Sequence, residues 1–312
     1  MNQNLVIIVA PIHDVLKQAL LDGGYKLEYH NDINNPAFEA SLADVEGIVT
    51  STKVKMNRAF LDKCPQLKWV GRLGSGMEHI DLEYALQKGI QCFSSPAGNA
   101  NAVAEQALGS LLALNHNITR SFDELKQNIW LRDENRGTEL EAQTIGIIGV
   151  GNNGGRFAEK LITLGAKKVI GYDKYKKHYG TENLIEATSL QQIYDEADVI
   201  SFHVPLTEET HHYFDQKFLE NMKKPFTLLN LCRGKVTDQQ IILNGLKKGK
   251  IKAAALDVWE VEPIANMDAE MKQIATELLA QPNFIGTAHI AGYSHEASYK
   301  MSAIIAEYIK NL

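Results

Sequence analysis

An apolar run at residues 144–148 breaks into the glycines Gly149, Gly151 and Gly154, passes into a helical pattern carried by Phe157 and Leu161, and is followed by a second apolar run that closes on Asp173. In order this is strand, tight turn, helix, strand, acid, the unit that a dinucleotide pyrophosphate requires. Gly149 allows the turn, Gly151 lets the backbone approach a phosphate, and Gly154 lets the helix pack on its strand. The helix N-terminus, at Asn152 and Asn153, offers free N–H groups to the anion. Asp173 stands 24 residues beyond Gly149, the spacing of a carboxylate that accepts hydrogen bonds from an adenosine ribose. Gly165 reads as the helix stop.

A chain of 312 residues accommodates two domains, each with its own core. Its 45% hydrophobic and 22% charged residues are those of an ordinary globular protein. A net charge of −6 argues against general binding to nucleic acid or anionic membrane, which calls for a basic excess. The three cysteines, Cys64, Cys92 and Cys232, are too scattered for a disulfide framework or a zinc site and fit a reducing cytoplasm; no metal is expected. The apolar run at residues 5–10 reads as a buried strand, not a signal peptide. No segment approaches the roughly 18 apolar residues of a membrane helix.

Short apolar runs at residues 5–10, 47–50, 67–70 and 89–93 alternate with helical patterns, which predicts an α/β unit with a parallel sheet. Residues 101–118 form a long helix apolar on more than one face, as in helices buried between domains or subunits. After a polar connection containing Trp130 and Gly137, the nucleotide fold begins near Glu139. Further strands at 199–202, 227–230, 253–256 and 284–286 complete a doubly wound sheet, and residues 295–312 form a closing helix.

Three segments at the carboxyl ends of late strands carry chemistry: 230–234 with Arg233, 256–263 with Asp257 and Glu262, and 287–292 with His289. Ligands of an open parallel sheet bind beside such strand ends. Arg233 has the planar fork that matches a carboxylate. His289 suits general acid and base work near neutral pH, particularly with a carboxylate such as Glu262 holding its imidazole. Taken singly, each has a plainer reading: a salt-bridge arginine, a core histidine, a surface acid.

Together, at spacings of 24, 5 and 27 residues from Arg233 through Asp257 and Glu262 to His289, these segments and the glycine turn resemble the D-isomer-specific 2-hydroxyacid dehydrogenases over essentially the whole chain. The resemblance implies two Rossmann-like domains with doubly wound parallel sheets. A discontinuous substrate domain would comprise residues 1–97 and 288–312, and an NAD-binding domain 98–287. It implies NAD as cofactor, with Arg233 anchoring the substrate carboxylate, His289 exchanging the hydroxyl proton and Glu262 supporting it. Asp257 would sit by the nicotinamide carboxamide and His203, Val204 and Pro205 along the adenosine side. Asn152, Asn153, Thr210 and Cys232 would also line the cofactor. The run Arg72, Leu73, Gly74, Ser75 and Gly76 resembles the family loop whose amides receive the substrate carboxylate. Asn153 stands where isoleucine is common, and Tyr293 where smaller residues are frequent.

Within that family the 70–72 and 81–83 segments most resemble phosphoglycerate dehydrogenases, and 289–293 erythronate-4-phosphate dehydrogenases. Both imply a phosphorylated small acid, with Arg72 and Lys53 as phosphate contacts; an Arg72 that merely braces its loop is the plainer reading. Ser51-Thr52 departs from the phosphate-handling pattern, which keeps a glyoxylate, hydroxypyruvate or D-lactate reductase open. So does a second class, a dinucleotide-sensing interaction protein. A homodimer is the expected assembly.

Overall fold

The computed structural model describes residues 4–312. The chain divides into two compact units, one of residues up to 100 together with 292–312, the other of 101–291.

The first unit runs β1 (Leu5–Ile8), α1 (Asp14–Asp22), β2 (Lys26–Tyr29), α2 (Pro36–Ser41), β3 (Val45–Thr50), α3 (Arg58–Asp62), β4 (Trp69–Arg72), α4 (Leu82–Gln87) and β5 (Gln91–Ser94). Its five strands are all parallel, in the order β2-β1-β3-β4-β5. The central strands β1, β3 and β4 are buried almost throughout, as two helical layers demand. Asn35, Asn57 and Asp81 cap α2, α3 and α4 by accepting a first-turn N–H, the chemistry that favours these residues at helix starts.

The second unit runs α5 (Ala100–Asn115), α6 (Ile118–Lys126), β6 (Thr144–Ile148), α7 (Asn152–Thr163), β7 (Lys168–Tyr172), β8 (Leu184–Glu186), α8 (Leu190–Glu196), β9 (Val199–Phe202), α9 (Gln216–Asn221), β10 (Phe226–Asn230), α10 (Gln239–Lys247), β11 (Ile251–Leu256), α11 (Ala269–Leu279) and β12 (Phe284–Gly286). These seven strands are likewise all parallel, in the order β12-β11-β10-β9-β6-β7-β8. The order reverses at β6, so its carboxyl end is the topological switch point where an open α/β sheet binds its ligand. One core face joins Val103, Ala107 and Leu111 of α5 to Ile145, Phe157 and Leu161, and the other gathers Ile148, Phe202, Phe214, Phe226 and Leu256. The chain ends in α12 (His295–Lys310), which returns to the first unit, placing Ile305 and Ile309 against Trp69.

Three elements differ from expectation. The edge strands β2 and β8 went unpredicted, and the polar connection before Glu139 contains the two-turn helix α6. The domain boundary lies at 291/292, not 287/288, so His289 belongs to the nucleotide-binding unit. The physical cause is Asp257, whose carboxylate takes the N–H groups of Ile290 and Ala291 and ties them to that sheet.

Candidate active site

At the switch point β6 is followed by Gly149, whose φ of +90° is open to glycine alone at no steric cost. A Cβ there would stand 2.5 Å from the His203 carbonyl oxygen, and one at Gly154 would stand 2.0 Å from the Gly149 oxygen. Both glycines are therefore demanded by packing. Gly151, the N-cap of α7, has open space where its Cβ would be and no side-chain cap. The first backbone bond of α7 is Gly155 N–H to Gly151 O, so the amides of Asn152, Asn153 and Gly154 are the helix's unclaimed donors. Asn153 Oδ1 is buried and without a protein partner. Glycines where bulk is forbidden and an uncapped helix start make a cradle that fits a dinucleotide pyrophosphate.

Asp173 follows β7. One carboxylate oxygen accepts the Val150 N–H at 2.9 Å and the other those of Tyr175 and Lys176 at 3.0 and 2.9 Å. Burial alone would raise this carboxyl, but the three N–H donors outweigh it and hold it below its ordinary value. A fixed carboxylate suits two ribose hydroxyls. On the other flank, His203 Nε2 lies 2.8 Å from Ser201 Oγ, and burial pushes the imidazole down to about 4, which keeps it neutral. Val204 lies against Gly149. Thr210 Oγ1 donates to Pro205 O at 2.6 Å and accepts the Thr207 N–H at 2.8 Å, so this hydroxyl closes its own turn.

The catalytic candidates meet at the ends of β10, β11 and β12. Glu262 Oε2 lies 2.6 Å from His289 Nδ1, and its Oε1 accepts the Trp259 N–H at 2.9 Å. Facing a carboxylate, Nδ1 carries the proton, which leaves Nε2 for another partner. The His289 side chain is 43% exposed, open to a reactant. Burial would raise the Glu262 carboxyl, but the His289 hydrogen bond, the Trp259 N–H and the charges of His289 and Arg233 together lower it. The same balance brings Arg233 within electrostatic reach of the pair. Arg233 opens a short 3-10 turn, its Nη1 donating to Cys232 O at 2.7 Å. Gly234 permits the close approach of that turn to the Trp259 backbone, since a Cβ there would stand 1.9 Å from Trp259 O. Cys232 is buried, its thiol pushed up by that burial, and it donates to Asn230 Oδ1. It is packing, not a nucleophile.

His289 itself has φ +54°, a conformation unfavourable for a residue with a Cβ. Asp257, 1% exposed, enforces it. Its carbonyl accepts the His289 N–H at 2.7 Å, while its carboxylate accepts Thr287 Oγ1, Gln106 Nε2 and the N–H groups of Ile290 and Ala291. Gln106, Thr287 and Trp259 were not singled out in the sequence. Neither was Asn230, whose Nδ2 donates to Arg233 O and Thr237 Oγ1. Asn230 and Thr287 stand among apolar residues, whereas Gln106 and Trp259 each have a glutamate next to them, and no spacing marks any of the four.

In the first unit, β4 ends at Arg72, 8% exposed, whose Nη1 donates to Leu73 O at 3.1 Å. The guanidinium lies against Gly74, where a Cβ would stand 1.5 Å from Nη1. Leu73 N–H bonds to Thr50 O and Gly74 N–H to Ser95 Oγ. Among the described residues no acceptor meets the amides of Ser75 and Gly76, which leaves those two for a ligand. The described residues contain no cluster suited to a metal ion and no helix long and apolar enough to cross a membrane.

The chain is similar to several known proteins. The family described as D-isomer specific 2-hydroxyacid dehydrogenase, NAD binding domain, matches residues 108–291. A D-3-phosphoglycerate dehydrogenase of Methanocaldococcus jannaschii is 32% identical over 309 residues, covering 98% of this chain and 57% of that protein. A hydroxypyruvate reductase of Thermotoga maritima is 33% identical over 268 residues, 86% of this chain and 85% of its own length. The chain thus spans little more than half the length of the phosphoglycerate dehydrogenases it matches. The crystal structure of a D-lactate dehydrogenase from Aquifex aeolicus complexed with NAD and lactic acid superimposes with a TM-score of 0.86 at 32% identity, covering 98% of this chain and 94% of that one.

Proposed function

Because this chain belongs to the D-isomer-specific 2-hydroxyacid dehydrogenase family, we propose that it interconverts a D-2-hydroxy acid and its 2-oxo acid with NAD. The observation that carries the reading is the Glu262–His289 pair, 2.6 Å apart and in electrostatic reach of Arg233, on the strand ends of the unit that holds the glycine cradle. The bound cofactor supplies the hydride. In the direction of reduction Arg233 holds the acid's carboxylate, and protonated His289 gives its Nε2 proton to the carbonyl oxygen at C2. Glu262 holds the imidazole in place for that transfer. In the first unit the Arg72 guanidinium braces the loop that carries Ser75 and Gly76.

The substrate in this reading is a short acid of the phosphoglycerate type, supported by the similarity to phosphoglycerate dehydrogenases over 98% of the chain. One observation favours an unphosphorylated acid such as hydroxypyruvate: the reductase relative is matched over 85% of its own length. A panel of 2-oxo acids offered with NADH, phosphorylated and plain, tests both. NADH binding without turnover of any of them would sink the enzyme reading.

The exposed apolar face of Ile118, Phe122, Leu125, Ile129, Trp130 and Leu131, on and after α6, supports a homodimer whose second copy covers it. Free thiols at Cys64, Cys92 and Cys232 support placement in the cytoplasm.

A further inference from the structure

Lysine directly after the ribose carboxylate is an unusual neighbour for a site that excludes a 2′-phosphate, because a cation there is what a phosphorylated ribose seeks. In this chain that lysine is committed elsewhere. Lys174 Nζ lies 2.7 Å from Glu209 Oε1, and the other oxygen of Glu209 accepts the Tyr175 hydroxyl at 2.5 Å. Glu209 rides on the turn that Thr207 and Thr210 close, after β9, whereas Lys174 and Tyr175 follow β7. β6 lies between those two strands. The contact therefore crosses the carboxyl end of β6, above the Gly149 turn. The remaining lysines of the segment are also occupied: Lys176 Nζ donates to Val150 O and Lys177 Nζ to Asp173 O.

We propose that Glu209 is a specificity-determining residue which holds Lys174, the residue next to Asp173, and thereby disfavours a dinucleotide bearing a ribose 2′-phosphate. This rests on the NAD-dependent reading above and names a determinant of that site. Both partners are more than half exposed, so the ion pair by itself is weak and a phosphate dianion could compete for Lys174. The discrimination comes from the charge balance. Asp173 and Glu209 face three lysines, a net charge of +1 that becomes +2 without Glu209; Lys176 and Lys177 keep their backbone acceptors either way, so Lys174 is the cation whose availability to a 2′-phosphate Glu209 sets.

The test is fluorescence titration of the cofactor-free protein with NADH and NADPH at fixed salt, with calorimetry of AMP against adenosine 2′,5′-bisphosphate to isolate the adenosine half. The wild-type chain binds NADH more tightly. E209Q tightens NADPH about threefold to tenfold and moves NADH less than about twofold. E209D keeps the wild-type ratio, and K174A in the E209Q background abolishes the gain. An unchanged NADPH-to-NADH ratio in E209Q, or a gain that survives loss of Lys174, overturns the role of Glu209 while leaving the dehydrogenase reading intact. A wild-type chain that binds neither dinucleotide overturns both.

Discussion

Oε2 of Glu262 stands 2.6 Å from Nδ1 of His289, while its other oxygen is held by the Trp259 N–H. The carboxylate is thus oriented by backbone before it orients the imidazole. It fixes the ring with Nδ1 toward the anion. E262Q removes that anion, so the imidazole is held less well and kcat for reduction falls at least about tenfold while NADH still binds. A kcat equal to that of the wild type would remove Glu262 from this role.

Replacing His289 separates chemistry from cofactor binding, since the glycine cradle and the proton donor lie on different segments. H289N, which tolerates the left-handed backbone at φ +54°, loses about 10²–10⁴-fold in kcat and still binds NADH by fluorescence. Near-normal turnover would exclude His289 as the proton donor.

Arg233 meets its carboxylate in the ground state as well as in the transition state. R233A accordingly raises KM about tenfold to hundredfold and lowers kcat. R233K keeps the charge without the fork and recovers only part of the loss. Steady-state kinetics with one 2-oxo acid decides, and an unchanged KM in R233A would contradict the contact.

Arg72 is buried against Gly74 and bonds to Leu73 O, the geometry of a brace. R72A lowers the melting temperature and reduces kcat/KM for hydroxypyruvate and 3-phosphohydroxypyruvate by the same factor. A selective loss with the phosphorylated acid would make Arg72 a phosphate contact instead.

Phe122 is 60% and Trp130 76% exposed on the apolar face after α5. Light scattering of the wild-type chain should give twice the mass of one copy, and F122E/W130E should give one copy. A wild-type monomer would dismiss this face as the dimer surface.

Much of the nucleotide-binding unit was legible in the sequence because glycine periodicity and buried parallel strands leave strong local patterns. β9 and β12 fall on the predicted residues, and Gly165 follows the end of α7 with φ +79°. β2 and β8 were missed because their sequences, KLEY and LIE, are short and mix charged with apolar residues, which an edge strand tolerates. α6 carries a helical spacing of its own, Ile118, Phe122 and Leu125, but the charged residues between them make the stretch read as a polar connection.

By itself the sequence determined the order of the elements, the glycine positions at the turn and the residue types of the proton relay, all of which depend on local backbone sterics and on functional groups. Tertiary structure alone decided that Asp257 belongs to the backbone of residues 289–291, that Gln106 reaches it across 151 positions, and that Lys174 is answered by Glu209 35 positions away. A buried carboxylate must collect whatever donors the fold brings to it, and sequence spacing carries no record of that convergence.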